Sequence, residues 1–180
     1  MTHHHGPDEA VQFTQEFWDD RYRSAGRLWS GQPNAQLVAQ AAGLPPGEAL
    51  DAGSGEGADA IWLASRGWAV TAVDVSAVAL ERAAAHAAAQ GDEFAGRISW
   101  RREDLLSWDP GPQRFDLVSA QFMHLPSPEL ESVHRRLAAA VRPGGDEDLP
   151  VAAGIGRPAT DLDGQPVTVT DTVLRATRRR

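Results

Sequence analysis

The sequence predicts an α/β fold, a three-layer Rossmann-like sandwich built on a mostly parallel sheet. Short apolar runs alternate with helical stretches between residues 48 and 145, an order that is typical of βαβ units. The first of these runs leads directly into three alternating glycines and then into a helix. At 180 residues the chain is long enough for one domain and short for two.

The individual elements follow from periodicity and from capping residues. Helices are predicted over residues 11–23, behind the cap Asn34, over residues 57–66, over residues 77–90 behind the cap Ser76, and after the Ser127-Pro128 pair. The predicted strands are Glu48 to Ala52, Ala69 to Asp74, Ile98 to Arg101 and Phe115 to Ala120. The tail is β-rich, and Asp163-Gly164 suggests a hairpin turn within it.

Composition narrows the classes of function. A net charge of −8 argues against nucleic-acid binding, which needs clustered basic side chains. The absence of cysteine excludes disulfides, thiolate metal sites and a cysteine nucleophile, and we predict no metal site. No apolar run approaches the ~18 residues of a membrane span, and no signal-peptide core follows Met1. We therefore expect a cytoplasmic protein, a monomer or homodimer, that acts on a small molecule.

The glycine-rich turn carries the chemistry. Gly53, Ser54, Gly55 and Gly57 connect a strand to a helix, where glycines allow a tight turn and the helix presents free N–H groups. This arrangement is typical of a nucleotide-like site. The pattern G-x-G-x-x-G/A, with Asp74 placed 21 positions after its first glycine, also fits a dinucleotide-dependent oxidoreductase.

The charge of Asp51 separates these two interpretations. A dinucleotide would place its pyrophosphate over this turn, where a carboxylate two residues before the first glycine would repel it. S-adenosylmethionine has no phosphate, and Asp51 could attract its α-ammonium group directly or through water. The acid therefore disfavours one ligand and favours the other.

Two further acids suit an adenosine group. Asp74 ends the second predicted strand at the carboxyl edge and could accept both ribose hydroxyls, although a merely strand-terminal acid is the alternative. Asp104 could accept from the adenine amine while Leu105 lies against the ring, and an ordinary loop acid is the alternative there.

These residues resemble the ordered motifs of class I S-adenosylmethionine-dependent methyltransferases. The resemblance rests on Asp51 to Gly57, Asp74, Glu103-Asp104-Leu105, Phe115 to Val118 and Arg142-Pro143-Gly144-Gly145. The stretches Phe17 to Tyr22 and Leu28-Trp29 are similar to the small-molecule branch that includes thiopurine and tellurite-resistance methyltransferases. The resemblance covers roughly residues 17–145 and implies that S-adenosylmethionine is the cofactor.

The resemblance also implies a cofactor-lining set. In this branch the N-terminal segment folds over the cofactor, which would place Tyr22 and Trp29 near the methionine end, where an aromatic face suits a sulfonium. The alternative is that both rings only pack the N-terminal helix onto the sheet. We further expect Val75 and Gln121 to line the cofactor.

The acceptor side offers one candidate acid or base. Ser119-Ala120-Gln121-Phe122 is not the Asn- or Asp-Pro-Pro-aromatic motif of exocyclic-amine methyltransferases, which further disfavours a nucleic-acid substrate. His124 is the predicted catalytic residue, since an imidazole can take a proton near neutral pH. A soft acceptor such as a thiol or a chalcogen would need no base, and His124 would then be a lining residue.

The pattern breaks after Gly145. Asp146-Glu147-Asp148 cannot form a buried central strand, so strand five and its helix are not where the family pattern has them. Either they are deleted, or the sequence omits a stretch here, or the chain is a shortened relative. We expect either a chain break between Gly145 and Asp146 or direct pairing of Val167 to Leu174 with Phe115 to Ala120. A methyltransferase fold that only binds the cofactor is the functional alternative.

The expected domain organisation has two parts. Residues 1–10 are a disordered N-terminus or a tag remnant, and residues 11–180 form one methyltransferase domain. That domain divides into a helical cover at 11–47, a cofactor-binding core at 48–145 and a C-terminal hairpin at 146–180.

Overall fold

The computed structural model describes residues 14–26, 28, 30–121, 123, 125, 127–143, 151–160 and 166–175. The helices are α1 (Gln15–Ser24), α2 (Ala35–Ala41), α3 (Ala58–Ser65), α4 (Ala77–Gln90), α5 (Asp92–Ala95) and α6 (Ser127–Ala140). The strands are β1 (Glu48–Ala52), β2 (Ala69–Asp74), β3 (Ile98–Arg102), β4 (Leu117–Ala120), β5 (Val151–Thr160) and β6 (Pro166–Arg175). In these ranges no helix combines the length and the apolar character needed to cross a membrane.

Strands β1 to β4 form one parallel sheet in the order β3-β2-β1-β4. Helices α2, α3 and α4 cover one face of this sheet, where Leu63 of α3 and Ala87 of α4 join the buried cluster around Val70. Helix α6 covers the other face with Val133 and Leu137. The prediction of a three-layer Rossmann-like sandwich is therefore confirmed.

The C-terminal strands form a separate two-stranded sheet. Strands β5 and β6 are antiparallel and pair over their full lengths, from Val151 opposite Arg175 to Thr160 opposite Pro166. This confirms the predicted hairpin. The prediction that residues 167–174 pair directly with β4 is wrong, because β6 pairs with β5 in a sheet of two strands that does not include β4. A short connection favours this partner, since the entropy cost of closing a loop increases with its length. Gly145 and Asp146 lie outside the described residues.

Just before β4, on the side away from β1, Phe115 pairs with the chain that follows α6. The Phe115 N–H donates to Ala140 O at 3.0 Å, and the Arg142 N–H donates to Phe115 O at 2.8 Å. Val141 accordingly forms an isolated parallel bridge with Phe115. Residues 141 and 142 thus start along the position that a fifth parallel strand would take.

Element boundaries mostly follow the predictions. Strands β1 and β2 match them to the residue, and Asn34 and Ser76 are N-caps whose side chains accept from Gln36 N–H and Ala79 N–H. Strand β3 extends one residue further than predicted, strand β4 begins two residues later, and the short α5 was not predicted.

Gly57 sets the distance between α3 and its neighbours. It precedes α3 with φ at +86°, and a Cβ built on it would lie 2.7 Å from the Trp100 ring and 2.8 Å from Ala83 Cβ. The third glycine of the motif is therefore required twice, by its left-handed backbone and by close packing.

We expect Gly57→Ala to lower the free energy of unfolding by roughly 2 to 5 kcal/mol, the sum of a left-handed alanine and an overpacked contact. Gly67→Ala is the matched control, because Gly67 also has a positive φ of +95° but its added Cβ would meet Pro46 at an ordinary 3.4 Å. The control should lose only about 1 to 2 kcal/mol in urea denaturation. Equal losses would show that packing against Trp100 contributes nothing.

Candidate functional site

The carboxyl ends of β1, β2 and β4 meet at one edge of the sheet and bring most of the predicted site residues together. Asp51 of β1 lies in register between Ala72 of β2 and Ser119 of β4. Asp74 is the last residue of β2, and its carboxylate accepts the Gly55 N–H at 2.8 Å. The two predicted acids and the glycine turn thus belong to one continuous site.

The glycine turn leaves its outer side open. Gly53 and Gly55 have φ values of +76° and +51°, and the N–H groups of Gly53 and Ser54 both donate to Val73 O at 2.9 Å. These bonds fix the turn to β2. A Cβ built on Gly53 would meet no atom within 4 Å, so a ligand can approach the backbone there.

Asp51 is a buried carboxylate with incomplete partners. Its side chain is only 2% exposed, and the Ala60 N–H at the start of α3 hydrogen-bonds to it. Among the described residues, its Oδ2 atom has no hydrogen-bond partner. Burial, followed by the charges of Asp59 and Asp74, raises the pKa of Asp51 well above its ordinary range, and the Ala60 N–H only partly opposes this.

The second unsatisfied polar atom at this site is the hydroxyl oxygen of Ser54, in the glycine turn. Its Oγ is buried, and no described residue hydrogen-bonds to it. An unpaired buried polar atom costs free energy unless a ligand or water satisfies it. The Asp51 carboxylate can accept from an ammonium group and the Ser54 hydroxyl can donate to a carboxylate. The pair therefore fits the amino-acid end of S-adenosylmethionine.

Asp74 is held by backbone donors on both oxygens. Oδ2 accepts the Gly55 N–H at 2.8 Å and Oδ1 accepts the Ser76 N–H at 2.9 Å, and the Val75 N–H also interacts with the carboxylate. Burial raises its pKa, these N–H groups lower it, the charge of Asp19 raises it, and the net direction is upward. Two backbone bonds leave further lone pairs for ribose hydroxyls, since a carboxylate has about four acceptor sites.

The loop after β3 is anchored from α6. The Asp104 Oδ1 accepts the Leu106 N–H at 2.9 Å, an arrangement that shapes the loop and leaves the residue exposed. Arg136 of α6 donates to the backbone oxygens of Leu105 and Leu106. Leu105 packs against the cluster on the α6 face. The adenine role of Asp104 and Leu105 stays a prediction, and Arg136 is a support for this loop that the sequence did not reveal.

Of the remaining predicted site residues, the structure describes two, Tyr22 and Gln121. Tyr22 is 3% exposed on α1, with its ring 6.2 Å from that of Trp18, a placement that the packing alternative also predicts. Gln121 follows β4 and its Nε2 donates to Ser119 Oγ at 3.4 Å. Trp29 and His124 lie outside the described residues. The cofactor roles of Tyr22 and Gln121 therefore remain predictions.

Two acids that flank Gly57 were not singled out as site residues. Glu56 is 7% exposed, and its carboxylate accepts the Leu28 N–H at 3.1 Å and pairs with Arg82 at 3.3 Å. Asp59 accepts the Asn34 N–H at 2.6 Å. Both acids thus hold the N-terminal segment against the glycine turn and the start of α3. The only signal in the sequence was the presence of two acids beside a motif glycine.

Comparison with known families agrees with this geometry. The family profile described as "Methyltransferase domain" matches residues 49–145, just over half of the chain and the part that holds the glycine turn and all four parallel strands. The chain is a member of the methyltransferase domain family. This confirms the prediction of an S-adenosylmethionine-dependent methyltransferase and overturns the oxidoreductase alternative.

Two curated relatives are also named as methyltransferases. The chain is 29% identical to a 2-heptyl-1-hydroxyquinolin-4(1H)-one methyltransferase of Mycobacteroides abscessus, over 89% of this methyltransferase and 74% of the relative. It is also 29% identical to the "Probable thiol methyltransferase 2" of Arabidopsis thaliana, over 72% of this chain and 58% of that protein. The methyltransferase therefore spans somewhat more than half of the second relative.

Solved structures share the fold. One, described as "Conversion of a Disulfide Bond into a Thioacetal Group during Echinomycin Biosynthesis", has a TM-score of 0.71 at 23% identity and covers 92% of this methyltransferase and 91% of the other chain. The "DhpI-SAM-HEP complex" has a TM-score of 0.57 at 21% identity, with coverage of 99% and 86%. Both likenesses support the Rossmann-like architecture.

We expect Asp74→Ala to weaken binding of S-adenosylhomocysteine by about 30-fold to several hundred-fold, because two charge-assisted hydrogen bonds worth roughly 2 to 4 kcal/mol are lost. Isothermal titration calorimetry measures the effect. Asp109→Ala is the control, since Asp109 is an exposed loop acid that, among the residues the structure describes, accepts a local N–H from Gly111 and no other. An unchanged dissociation constant in Asp74→Ala would refute the ribose assignment.

Asp51→Asn should move stability and binding in opposite directions. The raised pKa of Asp51 means that the free protein loses stability as the pH rises above the ordinary value of 3.8 towards that raised pKa. A neutral amide removes this loss. The free energy of unfolding at pH 7 should therefore be higher in the variant than in wild type by about 1 kcal/mol or more. It should bind S-adenosylhomocysteine about 10-fold more weakly or worse, because the ammonium loses its counter-charge.

The pH dependence provides the check on this explanation. Wild-type affinity for S-adenosylhomocysteine should increase with pH as Asp51 ionises, and the increase should be smaller in Asp51→Asn. Parallel pH profiles of binding, or a variant that is less stable than wild type at pH 7, would contradict the proposed charge of Asp51.

Proposed function

We propose that this methyltransferase transfers a methyl group from S-adenosylmethionine to a small molecule through a soft nucleophile, with a thiol as the first candidate. The observation that carries the proposal is the pair of unsatisfied buried atoms, Asp51 Oδ2 and Ser54 Oγ, beside a glycine turn that is open to a ligand. S-adenosylmethionine, when bound, supplies an electrophilic methyl group on a sulfonium.

The chain's own residues would bind and orient this donor. Asp51 would accept from the ammonium and Ser54 would donate to the carboxylate, while Asp74 would accept from the ribose. Asp104 and Leu105 would contact the adenine. These contacts fix both ends of a long ligand, and holding a reacting pair in a near-attack geometry can contribute up to ~7 to 11 kcal/mol. Orientation would therefore be the main contribution of the protein to the rate.

A soft acceptor agrees with the described part of the acceptor side. Ser119 and Gln121, at the carboxyl end of β4, are neutral and hydrogen-bond to each other. A thiolate needs no base within the site, because a thiol with a pKa near 8.5 is already partly ionised at neutral pH. The probable thiol methyltransferase among the relatives supports this class of acceptor.

A hydroxylated heteroaromatic ring is the second candidate acceptor. The relative that aligns over more of the chain is named for a 1-hydroxyquinolinone. An acceptor hydroxyl would have to lose its proton, and His124 is the predicted base for that step. The two acceptor classes therefore differ in their dependence on His124.

The test is an assay of S-adenosylhomocysteine formation with an aromatic thiol, a 1-hydroxyquinolinone and a primary amine, each with its methylated product identified by mass spectrometry. We expect turnover of the thiol, with a pH profile that follows the thiol's own pKa and a rate that His124→Ala changes less than about 3-fold. Turnover of the quinolinone alone, lost in His124→Ala, would favour the second acceptor. Tight S-adenosylhomocysteine binding without any product would favour a binding module.

A further inference from the structure

We propose that Asp19 of α1 is a positioning residue for the cofactor site, which acts on Asp74 through Ser76 and couples docking of α1 to cofactor binding. The proposal rests on the cofactor role proposed above for Asp74. It assigns a function to a buried charge that lies outside the glycine motif and the acceptor side.

Asp19 reaches across from α1 to the start of α4. It is only 5% exposed, its Oδ1 accepts the Ser76 hydroxyl at 2.5 Å, and the same oxygen accepts the Val78 N–H at 3.3 Å. Ser76 is fully buried, and its Oγ also accepts the Ala79 N–H as the N-cap of α4. Two residues from different elements thus share the cap of one helix, and the positive end of α4 favours the carboxylate there.

The contact continues directly to the cofactor acid. The Ser76 N–H donates to Asp74 Oδ1 at 2.9 Å, and Asp74 Oδ2 accepts the Gly55 N–H at 2.8 Å. The rotation of the Asp74 carboxylate is therefore set by the position of the residues that follow it. Asp19 holds those residues from outside the turn. The sequence of contacts runs from α1 through Ser76 and Asp74 to the glycine turn.

The ionised form of Asp19 suits this role. Burial by itself would raise the pKa of Asp19, but the hydrogen bonds from Ser76, Gln15 and the Val78 N–H, with the charge of Arg23, lower it overall. A carboxylate at this place accepts from donors on both its oxygens, because Gln15 Nε2 donates to Oδ2 at 3.2 Å. Docking of α1 thus brings a charged acceptor to the α4 cap.

Asp19→Ala should weaken S-adenosylhomocysteine binding about 10-fold in calorimetry, because the turn that orients Asp74 loses its support. Asp19→Asn should stay within about 3-fold of wild type, since its amide oxygen can still accept from Ser76 and the Gln15 amide can turn to accept its N–H groups. Asp20→Ala is the matched control, because Asp20 is the neighbouring exposed acid of α1 and pairs only with Arg23 in the described contacts. It should bind like wild type.

A double-mutant cycle with Asp74→Ala separates positioning from a general structural role. If Asp19 acts through Asp74, the double variant should bind less than about 2-fold more weakly than Asp74→Ala alone. Fully additive losses, or Asp19→Ala with a lower unfolding free energy but wild-type affinity, would overturn the proposal. Hydrogen exchange of the α1 amides should slow on ligand binding in wild type and slow less in Asp19→Ala.

Ser76→Ala keeps the proposal testable if Asp19→Ala does not fold. It deletes the donor of the hydrogen bond between Ser76 and Asp19, so it should also weaken ligand binding. Adding Asp19→Asn to this variant should not change the affinity further. An unchanged affinity in Ser76→Ala would overturn the proposal. Failure of wild type to bind S-adenosylhomocysteine would instead refute the proposed function, whereas loss of binding in Asp74→Ala with none in Asp19→Ala would refute only the role of Asp19.

Discussion

Four aspartates gather around the carboxyl edge of the parallel sheet, and each carboxylate needs donors that replace the water it has lost. They are Asp19, Asp51, Asp59 and Asp74. Burial raises the pKa of the last three, and mutual repulsion raises that of Asp51 and Asp74 further. The fold therefore places four ionisable carboxyl groups where an apolar core would be more stable, and the backbone N–H groups around that edge offset part of the cost of ionising them.

Backbone groups at helix starts and in the glycine turn supply these donors. Ala60 at the start of α3 donates to Asp51, Val78 at the start of α4 donates to Asp19, and Gly55 in the turn donates to Asp74. Helix N-termini carry free N–H groups and partial positive charge, so they stabilise a carboxylate without a cationic side chain. The site can thus remain negative overall, as a cationic ligand requires, while most of its oxygens are satisfied.

Local sequence patterns predicted the strands, the caps and the glycine turn because each depends on residues close together in the chain. The pattern of apolar residues predicts β1 and β2 to the residue, and the residues that follow Ser76 identify it as a helix cap. Strand β4 begins later than predicted, and Phe115 bonds instead to residues 140 and 142, on the side away from β1. That partner depends on how α6 returns to the sheet, which no local pattern contains.

The supports of the site could not be predicted for the same reason. Asp19 and Ser76 are 57 positions apart, and Glu56 and Leu28 are 28 apart. In the sequence Asp19 is one of two adjacent helix acids, and nothing distinguishes it from the exposed Asp20. Only the docking of α1 against α4 shows that one of them is buried and hydrogen-bonded to a cap. The motifs predict which residues bind the cofactor, whereas the contacts that position those residues are seen only in the fold.

The N-terminal segment is attached to the loops that carry the site as well as to the core. Asp19 joins it to the turn after β2, and Glu56 and Asp59 join it to the turn after β1. In all three contacts a carboxylate accepts from a hydroxyl or a backbone N–H, and such hydrogen bonds need close and well-directed geometry. A displacement of the cover would therefore break contacts at the glycine turn and beside Asp74 together. The N-terminal segment and the residues that follow β1 and β2 are therefore held together by these three carboxylates.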